Sequence, residues 1–452
     1  MEGQVSPENP AITGSIKSGG LGESIMKENG IEIVTHNGVT YVFDRNPSFR
    51  SVQVGIWFMV GSIDEENGQE GYAHFLEHMM FKGTKRSNVL DLAKRIDLLG
   101  GKFNAFTSKE YTSYYGRVVS DDIGEAVDFL KEIVFESIFP EEELEREKGV
   151  VLEEIKMYED DPDDVAIEKL LQGMLGNSPF ARPVLGKAEV VASATRDSLL
   201  EFYRANYVPG RFFVAASGNF KDFPFLDVKV DSEKRRQPEK IEYRVFRGAF
   251  SRDLAQVHAV FGFPAVDVNH EDRYALSVLN FILGSGMSSR LFQEVREKRG
   301  LVYSISSFLE LMTSGGLMGI FFGTSSDKLS EVFDVVENVL ENLQENGVST
   351  EELSLAKAKV RRSLLMAEDD VSGRMLKIAK DYYYHGRVIP TEEILEKIDS
   401  IRVEDVQRVA TQYLNWEKVS FSVVGPPGHS KGIPYPVEEE SLSRFSSRGD
   451  FS

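Results

Sequence analysis

Short runs of β-branched and aromatic residues form the first regular pattern of apolar and polar positions in this sequence. Two of these runs, 31–35 and 39–43, are separated by a turn that contains the dipeptide Asn-Gly. Asn-Gly between two β-rich runs is the strongest short-range signal for a hairpin. A further apolar run over 51–60 predicts a longer strand, and the pattern over about 71–81 predicts a helix.

The sequence repeats itself after about 200 residues. The segment 143–161 aligns with 352–370 at a fixed offset of 209 residues. Further matches occur in the same order along the chain, namely Tyr72 with Tyr274, Tyr207 with Tyr413, and Gly218 with Gly425. Because several matches in one order argue against chance, we expect two copies of one domain, each with a sheet covered by helices.

Composition divides the chain into five segments. Residues 1–24 are rich in Gly, Ser, Glu and Lys and predict a flexible leader, while the polar stretch 227–244 lacks helical periodicity and predicts a linker. The two copies of the repeat then occupy 25–226 and 245–434. The polar, Ser-rich tail over 435–452 is expected to be poorly ordered.

The chain has 452 residues, a formal net charge of −20 and no cysteine. The lack of cysteine excludes disulfides, thiolate ligands and a cysteine nucleophile, and it fits a reducing compartment. The acidic balance argues against a nucleic-acid-binding surface, and it indicates an acidic exterior or, alternatively, an acidic cavity for basic ligands. No apolar stretch reaches the roughly 18 residues of a membrane helix, and the N-terminus lacks a secretory pattern. We therefore expect a soluble, cytoplasmic protein.

The strongest chemical signal is the motif His-x-x-Glu-His, formed by His74, Glu77 and His78 in the predicted helix. Residues four apart share a helix face, so the two histidines can chelate one cation, with the glutamate placed to reach a bound water. This spacing is expected by chance about 0.02 times in a chain of this composition. A hydrolytic zinc site is therefore favoured over two surface histidines on an amphipathic helix.

Such a site needs a third protein ligand. The chain has no cysteine, and its other five histidines are scattered in turn-like or isolated settings, so a carboxylate is expected to supply the ligand. The Glu-rich helix predicted over 141–155 offers Glu147, Glu153 and Glu154, and spacing alone does not choose among them. The repeat favours Glu147 and Glu154, which align with alanine and serine in the second copy, whereas Glu153 aligns with arginine. The motif itself aligns with leucines and an asparagine, so the metal site is expected in the first copy only.

Six segments of this chain carry a resemblance to a known family: HFLEHMMFKGT at 74–84, LGGKFNAFTSKEYT at 99–112, EKGVVLEE at 147–154, NYVP at 206–209, LGSGMSSRLF at 283–292 and VREKRGLVY at 295–303. They resemble the pitrilysin-like, or inverzincin, zinc metallopeptidases, and most closely the β subunit of mitochondrial processing peptidase and its bacterial relatives. The resemblance covers roughly 30–425. It implies an α+β fold of two duplicated domains, each a mixed, mainly antiparallel sheet covered by helices, which together form half of a clamshell chamber.

The resemblance also implies the chemistry of the site. One Zn²⁺ ion per chain is expected to be bound by His74, His78 and Glu154. Glu77 is expected to act as the general base that takes a proton from water, and Glu147 as a supporting acidic residue. The implied activity is that of a zinc-dependent endopeptidase that cleaves peptides or unfolded segments.

Residues that contact the peptide substrate are implied in the same way. Phe75 is expected to contribute to the pocket after the scissile bond. Asn104 and Ala105 are expected on an edge strand to which an extended peptide adds as a further strand. Arg296 is expected to hold a peptide carbonyl, and Tyr303 to stabilise the oxyanion of the tetrahedral intermediate.

Asp164 and Glu168 lie four residues apart, so their carboxylates share one face of a predicted helix. The matching positions of mitochondrial processing peptidase are acidic and receive the arginine that precedes the cleavage site by one residue. The resemblance therefore implies a preference for a basic residue just before the cut. The alternative is an acidic helix start, which explains the neighbouring aspartates better than it explains Glu168.

Family enzymes enclose their site between four such domains, and this chain supplies two. A homodimer, or a heterodimer with a related subunit, is therefore expected. The alternative function is that of a non-catalytic structural or binding subunit related to the core proteins of respiratory complexes. Those relatives have degraded zinc motifs, whereas every catalytic position is intact here, so the peptidase is favoured.

Overall fold

The computed structural model describes residues 24–28, of which only the backbone is considered, together with 30–230 and 240–442. Most of the predicted leader therefore lies outside the described residues, as do the centre of the predicted linker and the end of the tail. Within the described part, no helix is both long and apolar enough to cross a membrane.

The first half of the described chain contains one sheet and the helices packed on it. Its strands are β1 (Ser24–Glu28), β2 (Ile31–His36), β3 (Val39–Arg45), β4 (Ser51–Phe58), β5 (Lys102–Thr107), β6 (Thr112–Val119) and β7 (Phe212–Gly218). Its helices are α1 (Tyr72–Met79), α2 (Val89–Leu99), α3 (Ile123–Phe135), α4 (Glu141–Asp160), α5 (Pro162–Leu175), α6 (Ala188–Ser193) and α7 (Arg196–Asn206).

The second half follows the same plan. Its strands are β8 (Arg247–Ser251), β9 (Val257–Ala265), β10 (Val302–Leu311), β11 (Gly316–Thr324), β12 (Ser420–Gly425) and β13 (Glu438–Ser441). Its α-helices are α8 (Arg273–Leu283), α9 (Leu329–Asn346), α10 (Thr350–Ala367), α11 (Val371–His385), α12 (Thr391–Ser400) and α13 (Val403–Tyr413). A π-helical segment, Phe292–Glu297, lies between α8 and β10.

The predicted hairpin is confirmed. β2 and β3 pair in antiparallel fashion around Asn37 and Gly38, whose φ angles of 51° and 80° lie in the left-handed region. Asparagine and glycine tolerate these angles better than other residues, which is why this dipeptide makes a two-residue turn. The sequence pattern missed β1, which pairs with β2 ahead of the first predicted strand.

The order of strands confirms the duplication. The first sheet has the order β1-β2-β3-β7-β4-β6-β5, and the second β10-β11-β9-β12-β8-β13. When the order of the second sheet is reversed, its strands β8-β12-β9-β11-β10 correspond one by one to β3-β7-β4-β6-β5 of the first sheet. In each copy the first of these pairs is parallel and the others are antiparallel. The sheets are therefore mixed and mainly antiparallel.

The end of the second sheet differs from expectation. Residues 438–441 were expected in a poorly ordered tail, but they form β13, which pairs in parallel with β8. This strand occupies the position beside β8 that β2 occupies beside β3. The expectation of poor order is wrong for this stretch because backbone pairing holds it, although all four of its side chains are exposed.

The two halves exchange one helix each. α5 of the first half packs on β8, β9 and β12 of the second sheet, and α11 of the second half packs on β3, β4 and β7 of the first. The apolar cluster under α11 joins Trp57 and Phe213 of the first sheet to Met375, Ile378 and Tyr382 of the helix. Since the other face of each sheet is covered by helices of its own half, every residue of the central strand β7 is buried.

This exchange predicts that the halves unfold together. Phe213→Ala removes a fully buried ring that lies 4.9 Å from the ring of Tyr382, at a cost of about 3–5 kcal/mol. We expect differential scanning calorimetry to show one transition at a lower temperature, whereas Leu98→Ala, at an 88% exposed position, leaves it unchanged. Two resolved transitions, of which only one moves, would contradict the coupling.

Candidate metal centre

The helix α1 carries the motif at the edge of the first core. Its apolar residues, including Phe75, Leu76 and Met79, are buried against the sheet and neighbouring helices. This leaves His74 and His78, one turn apart, directed towards the neighbouring helix α4. The spacing of four residues therefore places both imidazoles on one face of the helix, as predicted.

Glu154 of α4 meets both histidines. Its Oε2 lies 3.6 Å from Nε2 of His74 and 3.3 Å from Nε2 of His78, and one donor atom of each residue lies within 4.8 Å of the other two. Zinc bonds of 2.0–2.2 Å in a tetrahedron require ligand atoms about 3.3–3.6 Å apart. The donor types and the two distances to Glu154 therefore fit a zinc ion. The Glu154 side chain is 40% exposed, so the cluster opens to solvent on this side.

A second carboxylate orients His78. Its Nδ1 lies 3.1 Å from Oε2 of Glu147, whose other oxygen lies 2.6 Å from Nζ of Lys82. Burial by itself would raise the pKa of Glu147, but the hydrogen bonds with His78 and Lys82 outweigh it and lower that pKa. A proton held on Nδ1 by this carboxylate leaves the lone pair of Nε2 directed at the cluster, as metal-binding histidines require.

His74 is held differently. Burial, followed by the neighbouring His78, lowers its pKa to about 3, so its imidazole is neutral near pH 7. Its Nδ1 is buried and has no hydrogen-bond partner in the described part of the chain. The ring of His74 is therefore not oriented by a carboxylate as that of His78 is.

Glu77 lies beside the cluster with one oxygen engaged. The hydroxyl of Thr107 on β5 donates a hydrogen bond of 2.6 Å to Oε2 of Glu77. Burial raises the pKa of Glu77, while the bond from Thr107 and the nearby His78 lower it in part. A carboxylate with a raised pKa close to a metal centre is well suited to exchange protons near neutral pH.

The residues of the first half that were expected to contact the peptide, in a pocket or along an edge strand, have two different outcomes. Phe75 is 0% exposed and packs in the core of the first half. Its expected role in a substrate pocket is wrong, because a fully buried ring offers no surface to a ligand. Asn104 and Ala105 lie on β5, which is the last strand of the first sheet as described, with Asn104 exposed and Ala105 buried.

Arg296 and Tyr303 lie beside each other in the second half. The guanidinium of Arg296 lies 5.8 Å from the ring centre of Tyr303 and 4.7 Å from that of Phe292. The side chain of Tyr303 is 79% exposed. Among the residues that the structure describes, no hydrogen bond or ion pair joins either residue to the metal cluster. The structure therefore places these two residues beside each other.

Asp164 and Glu168 lie one turn apart on α5. Burial is the main cause that raises the pKa of both carboxyl groups, and the ammonium of Lys109 lowers that of Glu168 in part. Oε1 of Glu168 also accepts a hydrogen bond of 2.7 Å from Gln172. Glu310 of the second half also acts electrostatically on the same half-buried Lys109, so carboxylates from both halves influence this cation.

Three supporting side chains were not singled out in the sequence. Thr107 contacts Glu77, and Lys82 contacts Glu147. Glu65 accepts hydrogen bonds from backbone N–H groups at the start of α1. Burial raises the pKa of Glu65 to about 8, although the hydrogen bonds that its carboxyl group accepts from backbone N–H groups lower this pKa in part. Thr107 and Lys82 lie in segments that carry the family resemblance, but local spacing does not pair residues this far apart in the chain.

Two family models match the chain. The model described as Insulinase (Peptidase family M16) matches residues 40–188, which contain the whole metal cluster. The model described as Peptidase M16 inactive domain matches 193–360. This second range includes α8, where leucines and an asparagine replace the motif, so the difference between the two models follows the difference between the two copies.

Relatives of similar length carry names that agree with this match. A protein of Bacillus subtilis named an uncharacterized zinc protease is 36% identical over 399 residues, which is 87% of this chain and 97% of the relative. A protein of Streptomyces coelicolor with the same description is 36% identical over 421 residues, or 89% and 92% of the two chains.

Solved structures support the fold. The peptidase M16 inactive domain from Pseudomonas fluorescens has a TM-score of 0.79 at 23% identity and covers 88% of this chain and 98% of its own. A protease from Helicobacter pylori has a TM-score of 0.79 at 21% identity and covers 88% and 99%. Together, the family models and these nearly full-length relatives show that the chain belongs to peptidase family M16, the insulinase- or pitrilysin-like zinc metallopeptidases.

Proposed function

We propose that this chain is a zinc-dependent endopeptidase that binds one zinc ion through His74, His78 and Glu154. The observation that carries the proposal is the convergence of two imidazole Nε2 atoms on one carboxylate oxygen, at 3.6 and 3.3 Å. These separations suit a tetrahedral zinc ion with an open position. The names of the relatives support the choice of zinc over other divalent metals.

Glu77 is proposed as the general base. When bound, zinc polarises the scissile carbonyl and lowers the pKa of water. Glu77 takes one proton from the attacking water and returns a proton to the nitrogen of the leaving amine as the C–N bond breaks. The hydrogen bond from Thr107 holds Oε2 of Glu77, which leaves Oε1 to exchange the proton.

The substrate is proposed to bind as an extended peptide along the edge of β5, near Asn104 and Ala105. This proposal is supported by the position of β5 at the end of the described sheet. Arg296 and Tyr303 are proposed to reach the peptide after a second copy or a related subunit completes the chamber. The exposure of Tyr303 supports this role, because no partner within the described chain covers it.

The second candidate function is that of a non-catalytic subunit. The description of the second matching model as an inactive domain favours it to a limited extent, because that model covers mainly the half without the motif. The intact cluster in the first half favours catalysis. The lack of cysteine fits a reducing, cytoplasmic location for either function.

Variants of the motif separate a metal ligand from a base. His74→Ala is expected to lose both zinc and activity, because a ligand is missing. Glu77→Gln is expected to keep about one zinc per chain while kcat falls about 10²- to 10⁴-fold, because only the base is missing. Elemental analysis and digestion of a mixed peptide library, with and without a chelator, measure the two effects.

These measurements also decide between the two candidate functions. Chelator-insensitive cleavage, or no cleavage by the purified unmodified chain, would favour the non-catalytic subunit. Loss of zinc from Glu77→Gln to the same extent as from His74→Ala would show that Glu77 is a ligand and not the base.

Glu147 is proposed to orient His78, so its loss is expected to weaken zinc binding. Glu147→Gln should raise the zinc dissociation constant about 10- to 100-fold, as for other carboxylates that hold a metal-binding histidine. The matched control is Glu153→Gln on the same helix, where the carboxylate is exposed and pairs with Lys156. Competition with a chromophoric chelator measures both, and equal affinities would contradict the orienting role.

Asp164 and Glu168 are proposed to select a basic residue just before the cut. The double variant Asp164→Asn with Glu168→Gln should reduce kcat/KM for arginine-containing peptides about 10- to 100-fold, since charge-assisted hydrogen bonds contribute about 1.5–3 kcal/mol. Neutral peptides should be cleaved as before. Glu142→Gln with Glu145→Gln removes the same charge from exposed positions and should have no effect. Mapped cut sites without enrichment of basic residues would contradict the assignment.

A further inference from the structure

The first turn of α1 is held by a buried carboxylate that lies outside the metal cluster. Oε2 of Glu65 accepts a hydrogen bond of 3.0 Å from the N–H of Gly71, and Oε1 accepts one of 2.9 Å from the N–H of Ala73. Glu65 is only 2% exposed. Because the first N–H groups of a helix have no partner within the helix, the two side-chain oxygens of Glu65 satisfy two of them at this point.

The helix has no cap of its own. Gly71, which precedes α1, has a φ of 103° and offers no side chain to accept these bonds. A Cβ atom at this position would lie 2.7 Å from the carbonyl oxygen of Leu185 and 3.0 Å from Cα of Gly186. The serine, threonine or aspartate that usually caps a helix is therefore excluded here, and Glu65 supplies the acceptors from six residues earlier.

The position of Glu65 is itself fixed. Its carbonyl oxygen accepts a hydrogen bond from the guanidinium of Arg182. The preceding residue, Asp64, pairs with Arg211 at 2.5 Å, and Arg211 also donates to the carbonyl of Met59 directly after β4. These contacts attach the segment that carries Glu65 to the end of β4. The start of α1 is therefore hydrogen-bonded to a segment that the sheet holds in place.

The hydrogen bonds of Glu65 hold the backbone next to His74, the histidine whose ring is not oriented by a second carboxylate. Ala73, whose N–H is bound by Glu65, directly precedes His74. The ring of His78 is oriented by Glu147, whereas Nδ1 of His74 has no hydrogen-bond partner in the described chain. The placement of His74 therefore depends on its backbone, and the backbone of this turn is held by Glu65.

We propose that Glu65 is a positioning residue for the metal centre, which places His74 against Glu154 by fixing the first turn of α1. The inference rests on the proposed zinc site and deepens it. Loss of the Glu65 carboxyl group is expected to make the position of His74 less well defined, while His74, His78 and Glu154 all remain in the chain.

The test compares two buried glutamates in the full chain. Glu65→Gln keeps the size of the side chain but replaces one acceptor oxygen with an NH₂ group, so one N–H of α1 loses its partner. The matched control is Glu110→Gln, since Glu110 is also 2% exposed but accepts its bonds from Thr313 and Tyr384 of the second half. Both variants are expected to lower the melting temperature of the metal-free chain.

Only Glu65→Gln is expected to change the metal centre. Its zinc dissociation constant should rise about 10- to 100-fold, and the visible spectrum of its cobalt(II)-loaded form should differ from that of the unmodified chain. Glu110→Gln should match the unmodified chain in both measurements. If Glu65→Gln does not fold, Glu65→Asp, which retains the carboxylate but shortens it by one methylene, should show the same changes to a smaller extent.

The outcomes separate this inference from the proposed function. An unmodified chain that binds zinc, together with a Glu65→Gln variant of equal affinity and identical cobalt spectrum, would overturn the positioning role and leave the zinc site intact. Equal weakening by both variants would also overturn it, because the effect would then follow from stability alone. An unmodified chain that binds no zinc would overturn the zinc site and, with it, the inference.

Discussion

The exchange of helices between the two halves is the interaction on which the rest of this structure depends. Each sheet has two apolar faces, and the helices of its own half cover one of them. The other face is covered by a helix from the opposite half, α5 on the second sheet and α11 on the first. Burial of apolar surface is the main source of stability in a domain of this size, so each half depends on the other for one side of its core.

The same scaffold supports chemistry in only one of its copies. In α8, which corresponds to α1, Leu276 and Leu279 take the places of His74 and Glu77 and are fully buried in the second core. Helix packing is thus preserved while the polar ligands are absent. In the first copy, the same positions lie beside α4, where carboxylates stabilise the imidazoles and the arrangement suits a cation. Duplication of the fold therefore does not duplicate the site.

Carboxylates of this acidic chain act in different ways according to burial and partners. Glu154 is partly exposed and faces two imidazoles, Glu147 is buried between a histidine and a lysine, and Glu65 is buried against backbone N–H groups. The net charge of −20 by itself left a solvated acidic exterior and an acidic cavity as alternatives. The surroundings of each carboxylate, and not the overall charge, decide whether it can bind a metal, orient a ligand or hold a helix.

Local patterns in the sequence determined the hairpin, the helix of the motif, the shared face of His74 and His78, and the duplication, because each depends on residues a few positions apart or on direct repetition. The contact of Glu154 with both histidines depends on how α1 packs on α4, and spacing had left this choice open. Only the tertiary structure decided that Phe75 lies in the core, that 438–441 add a strand and that Glu65 holds α1. These features depend on contacts between segments far apart in the chain, which no local period encodes.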